Sequence, residues 1–135
     1  MKASLVPGAT RTDRHTVDRA RTIGFMGENA RVYSTPMLVY DIEMACRELL
    51  LEHLDAGEDS VGTRVEVDHL AATLLGMPVE LKVTIAEVKG RAVTFEIEGH
   101  DGVDAICRGR HSRFVVDLES TAARLASKAK KAGLA

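Results

Sequence analysis

Cysteine is scarce, with Cys46 and Cys107 the only two in 135 residues. Two alone build neither a disulfide framework nor a zinc site, and they read as small core residues of a protein in a reduced, cytoplasmic setting. An excess of positive charge is also missing. Lys and Arg number 18 against 20 Asp and Glu, for a formal charge of −2, and there is no Trp beside two Tyr and three Phe. A basic stripe with interleaved aromatics is therefore absent, and nucleic acid is not an expected partner. No apolar run reaches the roughly 18 residues of a membrane span. The opening "MKASLVPGAT" has only Leu5 and Val6 before Pro7, too little for the apolar core of a signal peptide. Internal repeats and low-complexity stretches are lacking too, and the length suits a single domain over 1–135.

What is present begins with "STPMLVYDIEMACRELLLEHL", residues 34–54, which reads as one helix. Ser34 and Thr35 are good cap residues, with Thr35 read as the N-cap itself, and Pro36 suits the first turn. "DAGEDS" ends the helix. At about 100° per residue, Asp41, Glu48 and Glu52 fall together as a wet stripe, whereas Glu43 falls roughly opposite, among Val39, Cys46, Leu50 and Leu54. A carboxylate there is solvated on a tilted helix, paired with a cation, or lines a cleft and is used in chemistry.

From Gly62 the period changes to two. Val65, Val67 and His69 share one face; Val79, Leu81, Val83 and Ile85 form the next strand; "RAVTFEIEGH" and residues 104–118 form two more. "VKGR" and "HDGVD" read as hairpin turns. Before the helix, "TDRHTVDRARTIGF" gives at most one short strand and "MGENARVYS" a loop, while Glu119–Lys131 reads as a C-terminal surface helix. The plan is α+β: a long helix followed by four consecutive hairpin-linked strands. The helix is apolar on more sides than one sheet covers, so the sheet curls round it, a partner subunit covers it, or both.

Few residues offer chemistry. Thr35 caps the helix, where first-turn amides also suit a developing oxyanion. His69 points toward the helix, either as a hydrogen-bonded core residue or, with Glu43, as half of an acid/base pair in a dry cleft. Gly62 is a turn residue or a point of close approach for substrate. Of Arg108, Arg110 and Arg113, the first two share a face and Arg113 lies on the other; such arginines are either solvated or placed to meet phosphate charges. His100 and His111 receive no role.

Three segments carry a resemblance: "STPMLVYDIEMA", with Thr35 and Glu43; "GEDSVGTRVEVDHLAAT", with Gly62 and His69; and "GHDGVDAICRGRHSR", ending at Arg113. In that order the chain resembles, over about residues 30–120, the fluoroacetyl-coenzyme A thioesterase family of hotdog-fold proteins. The resemblance implies a long central helix wrapped by a curled antiparallel sheet, a homodimer or higher oligomer, and acyl-coenzyme A substrates. It implies a site of Thr35, Glu43 and His69 at the subunit interface, with Gly62 nearby and Arg113 as a further substrate-binding residue. No metal or other cofactor is implied, coenzyme A being part of the substrate. The family's fluoroacetyl-specific enzyme carries phenylalanines in a lid just before this helix; here "GENARVY" stands there, with Tyr33 its one aromatic, so a small or general acyl group is expected. The expected function is acyl-coenzyme A hydrolysis, with Glu43 as nucleophile or base, His69 shuttling the proton and Thr35 binding or attacking the carbonyl. The alternative is a non-catalytic acyl-coenzyme A binding module.

Overall fold

A computed structural model of the chain describes residues 1–134. Helix α1 spans Thr35–Leu51. Its N-cap is Ser34, not Thr35: the Ser34 hydroxyl accepts the Met37 amide at 3.2 Å. Pro36 sits in the first turn, where a missing N–H loses nothing. The inward face carries Leu38, Ile42, Ala45, Cys46, Leu49 and Leu50 at helical spacing. Asp41 lies on this face and is buried, a correction to the expected wet stripe, of which Glu48 and Glu52 do remain exposed.

Five antiparallel strands surround this helix: β1 (Thr10–Thr16), β4 (Glu58–His69), β5 (Pro78–Lys89), β6 (Ala92–His100) and β7 (Ala105–Asp117), in the order β1-β5-β6-β7-β4. Two-residue strands β2 (Thr22–Ile23) and β3 (Val32–Tyr33) pair just ahead of α1. The lead thus holds more than the one short strand expected. The turns joining β5, β6 and β7 are the anticipated hairpins, with Gly90 at φ 59° and Gly102 at φ 86°.

The expected hairpin between β4 and β5 does not form. β4 pairs instead with β7, from Glu58 opposite Asp117 to His69 opposite Cys107, and β5 takes β1 as its other neighbour. The segment between β4 and β5 is held away from a tight turn by bonds to β7, to β3 and to the residue after β1: Leu70 N–H to the Ile106 carbonyl at 2.7 Å, Tyr33 N–H to the Thr73 carbonyl at 2.8 Å, and Val17 N–H to the Met77 carbonyl at 2.9 Å. Register shifts at Gly62/Arg64, Ile85/Glu87 and Gly99/His100 curl the sheet. α1 consequently touches β1, β4, β5 and β7, and its apolar face packs on Leu81, Val83, Ile85, Phe95, Ile97 and Val115. Helix α2 (Leu118–Lys131) buries none of its residues, in keeping with a surface helix. Among the described residues no helix is long and apolar enough to cross a membrane.

Candidate active site

Because Ser34 takes the cap, the Thr35 hydroxyl is free to bond elsewhere. Its Oγ1 lies 2.8 Å from Nδ1 of His69, the last residue of β4. His69 faces inward, opposite the buried Cys107, as its phase with Val65 and Val67 predicts. Burial lowers its pKa and so keeps the ring neutral near pH 7. Nε2 is buried and has no hydrogen-bond partner among the described residues. Both side chains open onto a cavity of about 590 Å³ whose walls include Ile23, Phe25, Tyr33, Pro36, Leu70 and Ala72. The expected row of free first-turn amides is not there. Pro36 has none, Met37 donates to Ser34 Oγ and Leu38 to the Ser34 carbonyl, leaving the Thr35 N–H as the first-turn donor for a substrate oxygen.

Glu43 stands in a second cluster, half-buried beside a buried cation. Its Oε1 lies 3.4 Å from Arg113 Nη1 and 3.6 Å from His111 Nε2. Arg113 is only 4% exposed. Its Nε donates to Ser60 Oγ at 2.7 Å, Nη2 to the Ser60 carbonyl at 2.8 Å, and Nη1 to His111 Nε2 at 3.1 Å. These partners fix the histidine's tautomer. A carbonyl can only accept, so Nδ1 carries the proton it donates to Arg64 O at 2.8 Å, and Nε2 accepts from the guanidinium. Burial of His111 lowers its pKa and favours this neutral form.

Gly62, opposite Arg113 on β4, explains how the carboxylate fits. A Cβ there would lie 2.2 Å from Glu43 Oε1, so a side chain would expel it. Arg113 itself is enclosed in this chain, with Glu43, His111 and Ser60 around its guanidinium. Arg108 lies on the outer face of the sheet, 3.7 Å from Asp68, far from the helix.

Within one chain the two clusters stay apart. Eight residues of helix separate Thr35 from Glu43, about 12 Å, and no hydrogen bond or ion pair joins Glu43 to Thr35 or His69. The expectation of Glu43 and His69 sharing one cleft is therefore not met inside a single chain.

A third network went unread in the sequence. Asp41 accepts from the Tyr33 hydroxyl and from Arg21, Nε to Oδ2 at 2.8 Å and Nη2 to Oδ1 at 3.1 Å. His15 Nε2 lies 3.0 Å from the same hydroxyl. The Tyr33 ring in turn stands edge-on to His69, with centroids 6.4 Å apart, and so forms the wall behind the Thr35–His69 pair. His111 had a usable signal, sharing the phase of Arg113 two positions away. Phe25 had none, being a lone aromatic in a segment without period.

The profile of the family described as fluoroacetyl-CoA-specific thioesterase matches residues 17–119. The fluoroacetyl-CoA thioesterase of Streptantibioticus cattleyicolor is 37% identical over 101 residues, 75% of this chain and 73% of that protein. A solved mutant of a fluoroacetyl-CoA-specific thioesterase, in complex with fluoroacetate and CoA, superimposes with a TM-score of 0.80 at 31% identity, covering 87% of this chain and 99% of the other. A hot-dog-like protein from Thermanaerovibrio acidaminovorans does so with a TM-score of 0.83 at 26% identity, covering 90% and 91%. On this evidence the chain belongs to the fluoroacetyl-CoA-specific thioesterase family and has the hotdog fold.

Proposed function

We propose that this protein hydrolyses acyl-coenzyme A thioesters to a free acid and coenzyme A. The observation that carries the reading is the Thr35 hydroxyl 2.8 Å from the neutral imidazole of His69, at the head of a helix and on an apolar cavity, in a chain 37% identical to a thioesterase over 101 residues.

In this reading Thr35 is the nucleophile. Its Oγ1 adds to the thioester carbonyl while His69 Nδ1 takes the hydroxyl proton, and the Thr35 N–H faces the developing oxyanion. The C–S bond then breaks, and the coenzyme A thiolate leaves with the proton from His69. Water, deprotonated by Glu43, cleaves the acyl-threonine ester; the acid departs and the threonine oxygen recovers a proton from Glu43. Neither a metal nor a redox cofactor enters these steps.

Glu43 reaches the ester in this reading because it comes from a partner subunit. Supporting a homodimer, β4 is an edge strand with Val61 48% and Val65 38% exposed, and Tyr40 on α1 is 51% exposed. A reduced cytoplasmic setting is part of the proposal: both cysteines are free, and burial pushes the Cys107 thiol up to about 11. The test is thiol release from a panel of acyl-coenzyme A esters by wild type and Thr35→Ala. Turnover by wild type, lowered at least 10²-fold in the variant, supports the reading. Binding of the esters without release contradicts it and leaves a binding module.

A further inference from the structure

Two buried polar side chains take no part in the steps above. Thr73 is fully enclosed and Asp101 is 3% exposed. Three bonds fix the Asp101 carboxylate: Oδ1 accepts the Val103 N–H at 3.0 Å and the Asp104 N–H at 2.8 Å, and Oδ2 accepts the Thr73 hydroxyl at 3.0 Å. The first two close the turn between β6 and β7, a task that one carboxylate oxygen performs alone. The other oxygen reaches a residue 28 positions earlier, in the segment between β4 and β5. Among the described residues, this is the one side-chain hydrogen bond that ties residues 70–77 to another part of the chain.

That segment links the two halves of the Thr35–His69 pair. It leaves β4 directly after His69, and its Thr73 carbonyl accepts the N–H of Tyr33, which stands just before Ser34 and Thr35, at 2.8 Å. Leu75 N–H adds a bond to the Arg31 carbonyl at 3.1 Å, and Leu74 bridges Val32. Tyr33, held in this way, sets its ring edge-on to His69. Thr35 and His69 lie on different elements, α1 and β4, so their 2.8 Å separation follows from how the segment is docked on β3. The docking is complete within one chain, whichever subunit supplies Glu43. Removing the Thr73 hydroxyl would leave a buried carboxylate oxygen unpaired, a cost relieved only by moving the turn and the segment apart.

Resting on the thioesterase reading, we infer that Thr73 and Asp101 are positioning residues for the hydrolysis: the Thr73 hydroxyl, anchored on the Asp101 carboxylate, docks residues 70–77 on Tyr33 and so sets the reach of His69 Nδ1 to the Thr35 hydroxyl. Neither residue touches the reacting atoms. The full chain is assayed with the acyl-coenzyme A ester that wild type turns over fastest, well below the melting temperature of every variant. Thr73→Val keeps the side chain's shape and removes the hydroxyl; Thr73→Ser keeps the hydroxyl and removes a buried methyl. Both should melt below wild type. Only Thr73→Val should lower kcat, by about tenfold or more with KM within about twofold, because a small misplacement of a reacting pair costs up to about 10² in rate. Thr73→Ser should retain kcat within about twofold. Asp101→Ser, whose hydroxyl still caps the turn but falls short of Thr73, should lose kcat as Thr73→Val does, and it decides the matter should Thr73→Val not fold. Equal kcat in the two Thr73 variants, or a loss carried by KM instead, overturns the assignment and leaves the hydrolase reading intact. Full activity in Asp101→Ser overturns it as well. Release from no ester by wild type overturns both.

Discussion

Glu43 is where a single residue carries most of the argument. Its carboxylate faces a guanidinium that is 4% exposed, in a space that exists because position 62 is glycine. Glu43→Gln should therefore do two things together. It should lower kcat by about 10² or more through loss of the base. It should also lower stability by roughly 1–3 kcal/mol, because Arg113 keeps its burial and loses its counter-charge. A melting curve run beside the thiol assay reads both; full activity with a lowered melting temperature would leave Glu43 as a structural partner only. The sequence marked Glu43 by its place on the helical wheel, yet hid its partner. Arg113 lies 70 residues away, and a buried arginine looks in sequence like any exposed one. Asp41 was misread for the same reason: the groups that make its burial tolerable, Tyr33 and Arg21, arrive from before the helix.

At the scale of elements, Ser34 caps the first turn of α1, and the proposed function assigns chemistry to its neighbour Thr35. Ser34→Ala should cost about 1 kcal/mol of stability, the usual worth of a cap. Thr35→Ala should leave the melting temperature close to wild type and remove most of kcat. Thermal melts and thiol release on the two variants separate these roles, and equal melting losses in both would mean that capping is shared. Helix and strands were legible because their periods, 3.6 and 2, reach the core through one face each. β1 was not. In "TRTDRHT" the alternation runs between exposed and half-buried residues, none fully enclosed, so no apolar period marks it. The pairing of β4 with β7 rather than β5 was also hidden, because it is fixed by what the intervening segment bonds to and not by the strands' own pattern.

For the whole molecule, three histidines are held with lowered pKa by burial: His15, His69 and His111. Unfolded histidines titrate near 6.5, so below about that pH the unfolded chain binds more protons than the folded one. Stability should accordingly be level above about pH 7 and fall as pH drops from about 6.5 toward 5. A melting temperature that rose on acidification over that window would contradict the burial of these rings.

The composite site is the central claim, and subunit complementation tests it most directly. Thr35→Ala and Glu43→Gln each disable every site in their own homodimers. If each site takes Thr35 and His69 from one subunit and Glu43 from the other, a mixed dimer carries both lesions in one site and leaves its second site intact. Co-expressing the two variants in equal amounts should then restore about a quarter of wild-type thiol release, since random pairing makes roughly half the dimers mixed and each of those has one working site of two. Activity no higher than that of the separate variants, with mixed dimers demonstrably formed, would contradict the account.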